Sequence, residues 1–388
     1  LAASVRIEVL DSLTGVDPAA WNALVGNDDP FLEHEFLSAL EASRVIGRDT
    51  PWEMRFVGAF EGATPVAALP LFLKWDSYGE FVFDFAWAEA YQRAGMRYYP
   101  KLVAAAPITP VAGRRLLGAA SDALLDALLA GAERVARENG ASSMHVLFAD
   151  PDDVERLAVR GFLPRIGYQF HWFNRGYSTF TDFLSDLRSS KRKQIVKERR
   201  TVEAQGIEVE TVEGDDVREE HMDALWRFYV DTNERKWSHP YLERRSFLEL
   251  GERFRHRLVL VLARSGGALV AGTLNARKGA ALYGRYWGAH GEYPCLHFEC
   301  CYYRLIDYAI ARGLERVEAG AQGEQKFLRG YVTRPLVSVH RLFSPQAHAA
   351  IGDWLARERR QVLATIDGYN RQSPLKDVRG ARTRGPAE

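Results

Sequence analysis

The two halves of this chain repeat one another's rhythm. Each runs strand, helices, antiparallel meander, a helix of a dozen or more residues, then a buried strand. RFVGAFEGATPVAALPLFL in the first half answers RLVLVLARSGGALVAGTLNA in the second. In both, a strand ends at a glycine turn and a second apolar strand returns. A repeat of this size predicts two similar α/β lobes. Mixed, largely antiparallel sheets flanked by helices are the solution for such an order of elements. The expected lobes are residues 1–170 and 171–375, with a loose polar tail over 376–388.

The elements follow from pattern and punctuation. RIEVLDS alternates as a strand. VDPAAWNALVG and PFLEHEFLSALEASR read as helices, with Asp17 capping ahead of Pro18. RFVGAFEGATPVAALPLFLKWDSYGEFVFDF reads as several strands through EG and SYG turns. SDALLDALLAGAERVARENG is the clearest helix of the first half, and SSMHVLFA a buried strand. TFTDFLSDLRSSKRKQIVKERRTVEAQG reads as one long helix ended by Gly206, and REEHMDALWRFYVDTNERKW as the next. RLVLVLARSGGALVAGTLNARKGAALYGRYWGAH gives three strands, and CYYRLIDYAIARGL and QAHAAIGDWLARERRQVLATIDGYN are helices.

Charge removes whole classes of function. Over 388 residues, 51 Lys+Arg balance 51 Asp+Glu. A general polyanion-binding role, RNA or DNA, is not supported, so any anion site must be local. Cys295, Cys300 and Cys301 form neither a disulfide framework nor a metal-ligand spacing, and suit a reducing cytosol. No apolar run reaches the ~18 residues of a membrane helix. LAASVRIEVLDS has no signal-peptide pattern. The expected location is cytoplasmic, with no membrane span.

Against that neutral background stands SSKRKQIVKERR, residues 189–200, where six of twelve residues are basic and only Glu198 is acidic. At ~3.6 residues per turn, Arg188, Arg192 and Arg199 fall roughly along one side with Lys191 beside them. Such a run is either a solvated charged face or an anion site, where Arg grips phosphate with two parallel hydrogen bonds and Lys acts as a point charge.

Other stretches carry candidate chemistry. LHFECCYY follows Pro294 and opens a helix, placing His297 and Glu299 near free backbone N–H groups. Either side chain can take a proton from an attacking amine; equally, His297 can be a core histidine and Glu299 a dipole partner. Cys300 and Cys301 sit among aromatics, where burial raises a thiol's pKa, so covalent cysteine catalysis is rejected. GAQGEQKFLRGY follows a buried strand and brings Gln322, Glu324, Lys326 and Arg329 to a strand-end loop. YGRYWG puts Arg285 on a strand with Tyr283 and Trp287 on the same face by alternation. PITPVAGRRLL is either a rigid turn or a phosphate cradle at a helix start.

Taken in order, KRKQIVKERRTVEAQGIEV, LWRFYVDTNERKW, LVLVLARSGGALVAGTLNA with ALYGRYWGA, and YRLIDYAIARGLERVEAGAQG resemble the second lobe of Fem-type members of the GNAT acyltransferase superfamily. More narrowly, PITPVAGRRLL, QFHWFNRGY, YGRYWG with LHFECCYY, and GAQGEQKFLRGY are similar to the bacterial Fem-like peptidoglycan biosynthesis/recognition family of N-acyltransferases. The resemblance covers nearly the whole chain and implies tandem GNAT-like lobes. It implies transfer of an acyl or aminoacyl group from acyl-CoA or aminoacyl-tRNA, as co-substrate rather than tightly bound cofactor. The acceptor would be an amine, small molecule or peptide, related to a peptidoglycan precursor, and the acceptor end of a tRNA would be a partner. On that reading His297, Glu299 and Glu324 are catalytic, and Arg192, Lys193, Tyr283, Arg285, Gln322, Lys326 and Arg329 bind substrate. Two departures stand out: Gln325 occupies a position where His is expected, and a glycine-rich pyrophosphate signature is not evident. They keep a second reading open, a non-catalytic binding module for an anionic cell-wall precursor. The sequence leaves the oligomeric state open.

Overall fold

The computed structural model describes residues 5–27, 29–235, 240–320 and 323–376. The chain divides into two compact units, Leu1–Gly167 with Pro335–Leu363, and Tyr168–Arg334 with Ala364–Glu388. This differs from a single boundary near 170: residues 335–363 return to the first unit. The expected loose tail lies, after Lys376, outside the described residues. Among the described residues no helix is long and apolar enough to cross a membrane.

The first unit carries β1 (Arg6–Leu10), α1 (Pro18–Val25), α2 (His34–Ala42), β2 (Glu53–Met54), β3 (Phe56–Glu61), β4 (Thr64–Leu69) and β5 (Leu71–Lys74). It continues with α3 (Phe85–Arg93), β6 (Lys101–Ala104), α4 (Asp122–Asn139), β7 (Ser143–Ala149), α5 (Pro151–Ala158) and the start of β8 (Leu163–Phe173). β1, β3 and β4 form an antiparallel three-stranded sheet. The α1 start is as expected: the Asp17 side chain accepts from Ala20 N, with Pro18 in the first turn. α4 begins at Ser121, which accepts from Leu124 N, and ends at Gly140 with φ 62°. Leu125, Leu128, Ala132 and Val135 of α4 pack with Val57, Leu69, Leu102 and Val146 of the strands. Each such leucine or valine contributes ~1.5–3 kcal/mol when fully buried, more than the ~1 kcal/mol typical of a cap.

The FVFDF end of the expected meander is not a strand. Residues 81–84 are irregular and α3 begins at Phe85. The cause lies on the neighbouring strands. Lys74 and Lys101 face one another across β5 and β6, and like charges directly opposite are destabilising. The 76–84 segment brings in acids: Asp76 Oδ1 accepts from Lys74 Nζ at 2.9 Å, and Glu80 and Asp84 accept from Lys101 Nζ at 2.8 and 2.5 Å. Burial lifts the Glu80 carboxyl to about 7. Burial also works against the Asp84 anion, but Lys101, His145 and hydrogen bonds outweigh it and hold that carboxyl below its usual range. The PITPVAGRRLL stretch opens no helix; α4 starts at Asp122. Its buried Arg115 donates to Asp29 Oδ2 at 2.7 Å, Val111 O at 2.6 Å and Leu147 O at 3.1 Å. That guanidinium is structural rather than part of a phosphate cradle.

The second unit carries α6 (Phe180–Asp186), α7 (Ser189–Glu203), β9 (Ile207–Glu213), α8 (Glu219–Arg235), α9 (Arg244–Arg253), β10 (Leu258–Ser265), β11 (Ala268–Lys278) and β12 (Ala281–Ala289). After α10 (Leu296–Phe298) comes a π-helical turn, Glu299–Tyr303, then α11 (Arg304–Ala311) and β13 (Arg316–Glu318). β14 (Val332–Leu342) and α12 (Pro345–Arg371) follow. The strands run β8-β13-β12-β11-β10-β9, antiparallel except for the parallel pair β12 and β13. The sheet is mixed and largely antiparallel, as the sequence predicts. The single long helix expected over 179–206 is two. Thr179 and Asp182 form a capping box at α6, and Leu187 is extended, with ψ 150°, bridging to Leu375.

Lys101→Met should cost about 3–5 kcal/mol, because two buried carboxyls lose their counter-charge. Urea denaturation checks this. Adding Glu80→Gln and Asp84→Asn should recover most of the loss.

Candidate active site

Helix α7 divides the basic run between two faces. Ile195 and Val202 are buried. On the same side Glu198 turns inward: its Oε1 accepts from Arg329 Nη2 at 2.9 Å, its Oε2 from Arg329 Nε at 3.2 Å, and Oε2 also from the Tyr303 hydroxyl. Arg199, at the flank, donates to Glu299 Oε1 at 3.0 Å and Asp307 Oδ2 at 2.8 Å, and lies over the Phe180 ring at 4.6 Å. The outer face holds Arg192, Lys193, Val196, Lys197 and Arg200, which line a groove of ≈560 Å³. None of these four cations has a carboxylate partner among the described residues.

The LHFECCYY stretch does begin helically, but its second turn is π-helical, a geometry frequent at functional sites. Glu299 is 4% exposed. Its Oε1 accepts from both Arg199 and Arg304, each at 3.0 Å, while its Oε2 is buried without a hydrogen-bond partner among the described residues. His297 is half-buried among Trp287, Phe298 and Tyr302, ring centroids 5.3–5.6 Å away. It lines a different depression, of ≈330 Å³, with Thr232, Arg235, Trp287 and Glu292. Glu299 does not line it. Cys300 is fully buried, and burial pushes its thiol far above the ordinary range, in keeping with a packing role.

The strand-end loop carries the second constellation. Arg329 is buried against the Phe298 ring, 3.4 Å from its centroid, and donates to Gln325 O at 2.9 Å and Gln325 Oε1 at 3.0 Å, besides Glu198. Gln325 is therefore part of the support of Arg329. Lys326 is 4% exposed and donates to Gly320 O at 2.6 Å. Burial lowers its ammonium pKa from 10.5 to about 8. The parallel β12–β13 ladder ends at Tyr283 and Glu318, two residues before Gly320, so Lys326, bonded to Gly320 O, sits where the parallel pairing ends and β12 runs on without β13 to Ala289. Such strand ends are the usual ligand side of parallel pairs. Glu324 is exposed and accepts from the Tyr369 hydroxyl at 2.6 Å. Gln322 lies outside the described residues.

Arg285 and Tyr283 do not share a face with Trp287. Leu274 pairs with Tyr286 and Asn275 with Gly284, so Arg285 is the extra residue of a β-bulge. The bulge reverses the alternation. Tyr286 packs on Tyr229 and Phe247, whereas Trp287 joins the opposite core with Leu282. Arg285 lies over the Tyr286 ring at 5.1 Å, and the buried Tyr283 hydroxyl meets Arg316 Nη2 at 3.1 Å. Arg192, Arg285 and Glu299 thus stand in three separate surroundings. Sequence reasoning missed Glu198 and the π turn. Glu198 had a signal, because it falls at helical spacing with Ile195 and Val202; the π turn had none.

The profile of the FemAB-like family, described as peptidoglycan biosynthesis/recognition, matches residues 12–377. No curated protein matches the chain in sequence. Among solved structures, the crystal structure of FemX aligns with TM-score 0.53 at 12% identity, covering 89% of this chain and 100% of that one. The C-terminal domain of a putative lysylphosphatidylglycerol synthetase from Agrobacterium fabrum aligns with TM-score 0.55 at 11% identity, covering 88% and 96%. L-PGS from Bacillus licheniformis aligns with TM-score 0.52 at 13% identity, covering 88% and 97%. These likenesses establish a common fold.

Because the folded chain holds the Lys326 proton less tightly than the unfolded chain, stability should rise with pH between about 8 and about 10.5. The rise should approach 3 kcal/mol, roughly 1.4 kcal/mol per pKa unit. Urea denaturation across that window checks it, and Lys326→Met should flatten this part of the curve.

Proposed function

The chain belongs to the FemAB-like family of peptidoglycan biosynthesis and recognition proteins, an acyltransferase by that membership, and we propose that it moves an acyl or aminoacyl group from a phosphate-bearing donor to an amine of a peptidoglycan-related acceptor. Acyl-CoA and aminoacyl-tRNA are the donor classes. The observation that carries the donor assignment is the outer face of α7, where Arg192, Lys193, Lys197 and Arg200 stand without carboxylate partners among the described residues. Four clustered cations with no internal counter-charge suit phosphate groups.

The chemistry is a displacement at a carbonyl. The amine nitrogen forms a C–N bond, the donor's C–O or C–S bond breaks, and the amine proton ends on the departing oxygen or sulfur. Negative charge develops on the carbonyl oxygen in between, and preorganised donors in a water-poor site stabilise it most. Lys326 suits that role, being buried, with a pKa of about 8, at the end of the parallel strand pair. His297, on the rim of its depression, is the candidate acceptor of the amine proton. Glu299, expected to be catalytic, and Arg329, expected to bind substrate, are better read as positioning residues, since internal ion pairs occupy both. Glu324 and Arg285 remain candidates for acceptor contact.

The test is to incubate the full chain with charged tRNA or acyl-CoA and amine acceptors, and to detect product by mass. Lys326→Met should cut turnover about 10²–10³-fold, the loss typical for one oxyanion donor, with donor affinity nearly unchanged. A second prediction concerns the groove. Arg192→Glu with Lys197→Glu should weaken donor binding about tenfold or more at low salt, and the difference should shrink as salt rises. Absence of product from every donor would sink the transfer reading. Donor binding without product would instead select the binding-module reading, with Gln325 as the structural residue it is here.

A further inference from the structure

Residues 75–85, WDSYGEFVFDF, turn Glu80 and Asp84 inward and four of their five aromatics outward. Glu80 and Asp84 are buried on Lys101. Trp75, Tyr78, Phe83 and Phe85 are 59%, 61%, 53% and 40% exposed. The facing lysines of β5 and β6 demand those acids, so the outward aromatics are fixed by ion pairs beneath them. Tyr78 and Phe83 contact Phe85 at 5.8 and 6.5 Å between ring centroids. Phe85 in turn lines a groove of ≈420 Å³ formed by α3 and residues 96–99. Met96 and Tyr99 add apolar wall, and Glu89, Gln92 and Arg97 add planar polar groups. The side chains of Gln92 and Arg97 are exposed and have no hydrogen-bond or ionic partner among the described residues. Glu89 has a contact with Arg93 at 3.9 Å.

We propose that this groove binds the pyranose units of a glycan. A sugar ring has an apolar C–H face and a rim of adjacent hydroxyls. Aromatic rings pack on the first. Amide, carboxylate and guanidinium groups bridge neighbouring hydroxyls of the second with paired hydrogen bonds. The groove offers both together: Phe85 and Tyr99 as faces, and Glu89, Gln92 and Arg97 as planar donors and acceptors. Ligand pockets combine apolar walls with a few convergent polar groups in this way. An apolar protein patch would instead place Gln92 and Arg97 against a surface that cannot satisfy them, and the phosphates of a bilayer surface would repel the exposed Glu89. Only the first probe, an N-acetylated disaccharide, rests on the acyl-transfer reading; it suits a family of peptidoglycan biosynthesis and recognition.

The experiment titrates the full chain with diacetylchitobiose, and in parallel with cellobiose, by saturation-transfer NMR. Transfer to sugar ring protons is expected from at least the N-acetylated probe. Phe85→Ala should weaken binding about tenfold, and Arg97→Ala about fivefold, the scale of one ring contact and one charge-assisted hydrogen bond. Both side chains are exposed, so the urea midpoint should stay unchanged. Stronger binding of the N-acetylated probe supports a wall-type glycan, and equal binding supports general pyranose recognition. No transfer from either sugar, or equal affinity in wild type and both variants, overturns the proposal. So does co-sedimentation with phosphatidylcholine vesicles that Phe85→Ala abolishes while the sugars fail to bind, which would assign the aromatics to a membrane. Sugar binding requires neither donor nor turnover, so its failure is distinct from failure of acyl transfer.

Discussion

One carboxylate organises the second unit. Glu198 meets two N–H groups of the Arg329 guanidinium and the hydroxyl of Tyr303. A guanidinium withdrawn from water costs several kcal/mol unless its donors are met. Arg329 finds its partners in Glu198, Tyr303 and Gln325, with Phe298 beneath. The orientation of α7, the π turn and the conformation of the 323–331 loop are therefore one problem with one solution. Lys326, three residues before Arg329, is placed by the same contacts. The seven cations from Arg188 to Arg200 become intelligible on that basis, since the inward carboxylate and Arg199 fix the helix and the remaining cations are presented outward.

The sequence made the coarse architecture legible because hydrophobic period and glycine turns are local. The α4 caps, the β10–β12 meander and the buried β7 strand follow from their own residues. What stayed hidden depends on partners far along the chain. Leu187 breaks the expected long helix because it bridges Leu375. FVFDF leaves the strand pattern because acids must reach Lys101. The β-bulge at Arg285 is set by register against β11, and one extra residue moved Trp287 away from Tyr283. Of the site, the strand-end loop and the basic helix were legible as polar interruptions in apolar surroundings. The division of labour within the helix was not, because charge alone does not tell an inward cation from an outward one.

The two units use buried charge to the same end. In the first, Lys101 draws Glu80 and Asp84 into the core and leaves four aromatic rings facing water. In the second, Glu198 and Glu299 draw in Arg329 and Arg199, and leave a cationic groove facing water. In each case a desolvated ion pair fixes the element that carries an unusual surface. Hydrophobic burial alone would not, since a strap free to turn would hide its aromatics, and a helix free to roll would swap one charged face for another. Buried pairs are weak evidence of stability but better evidence of a specified orientation.

The outer face of α7 also carries an energetic signature. Lys193 and Lys197 are four residues apart, and Lys197 and Arg200 three apart. Like charges at these spacings repel by a few tenths of a kcal/mol per pair. All lie within a Debye length of about 8 Å of a neighbour, so physiological salt screens them only partly. A helix that served solubility alone would relieve that repulsion with interspersed acids, as the rest of this neutral chain does; here Glu198 faces inward, and the other acid of the helix, Glu203, stands at its C-terminal end beyond Lys193 and Lys197. The repulsion is modest for the helix alone, because Ile195, Val202, Glu198 and Arg199 anchor it. It becomes favourable interaction energy when a polyanion arrives, since each phosphate meets a field already assembled. Local field without net charge is what confines anion binding to this face.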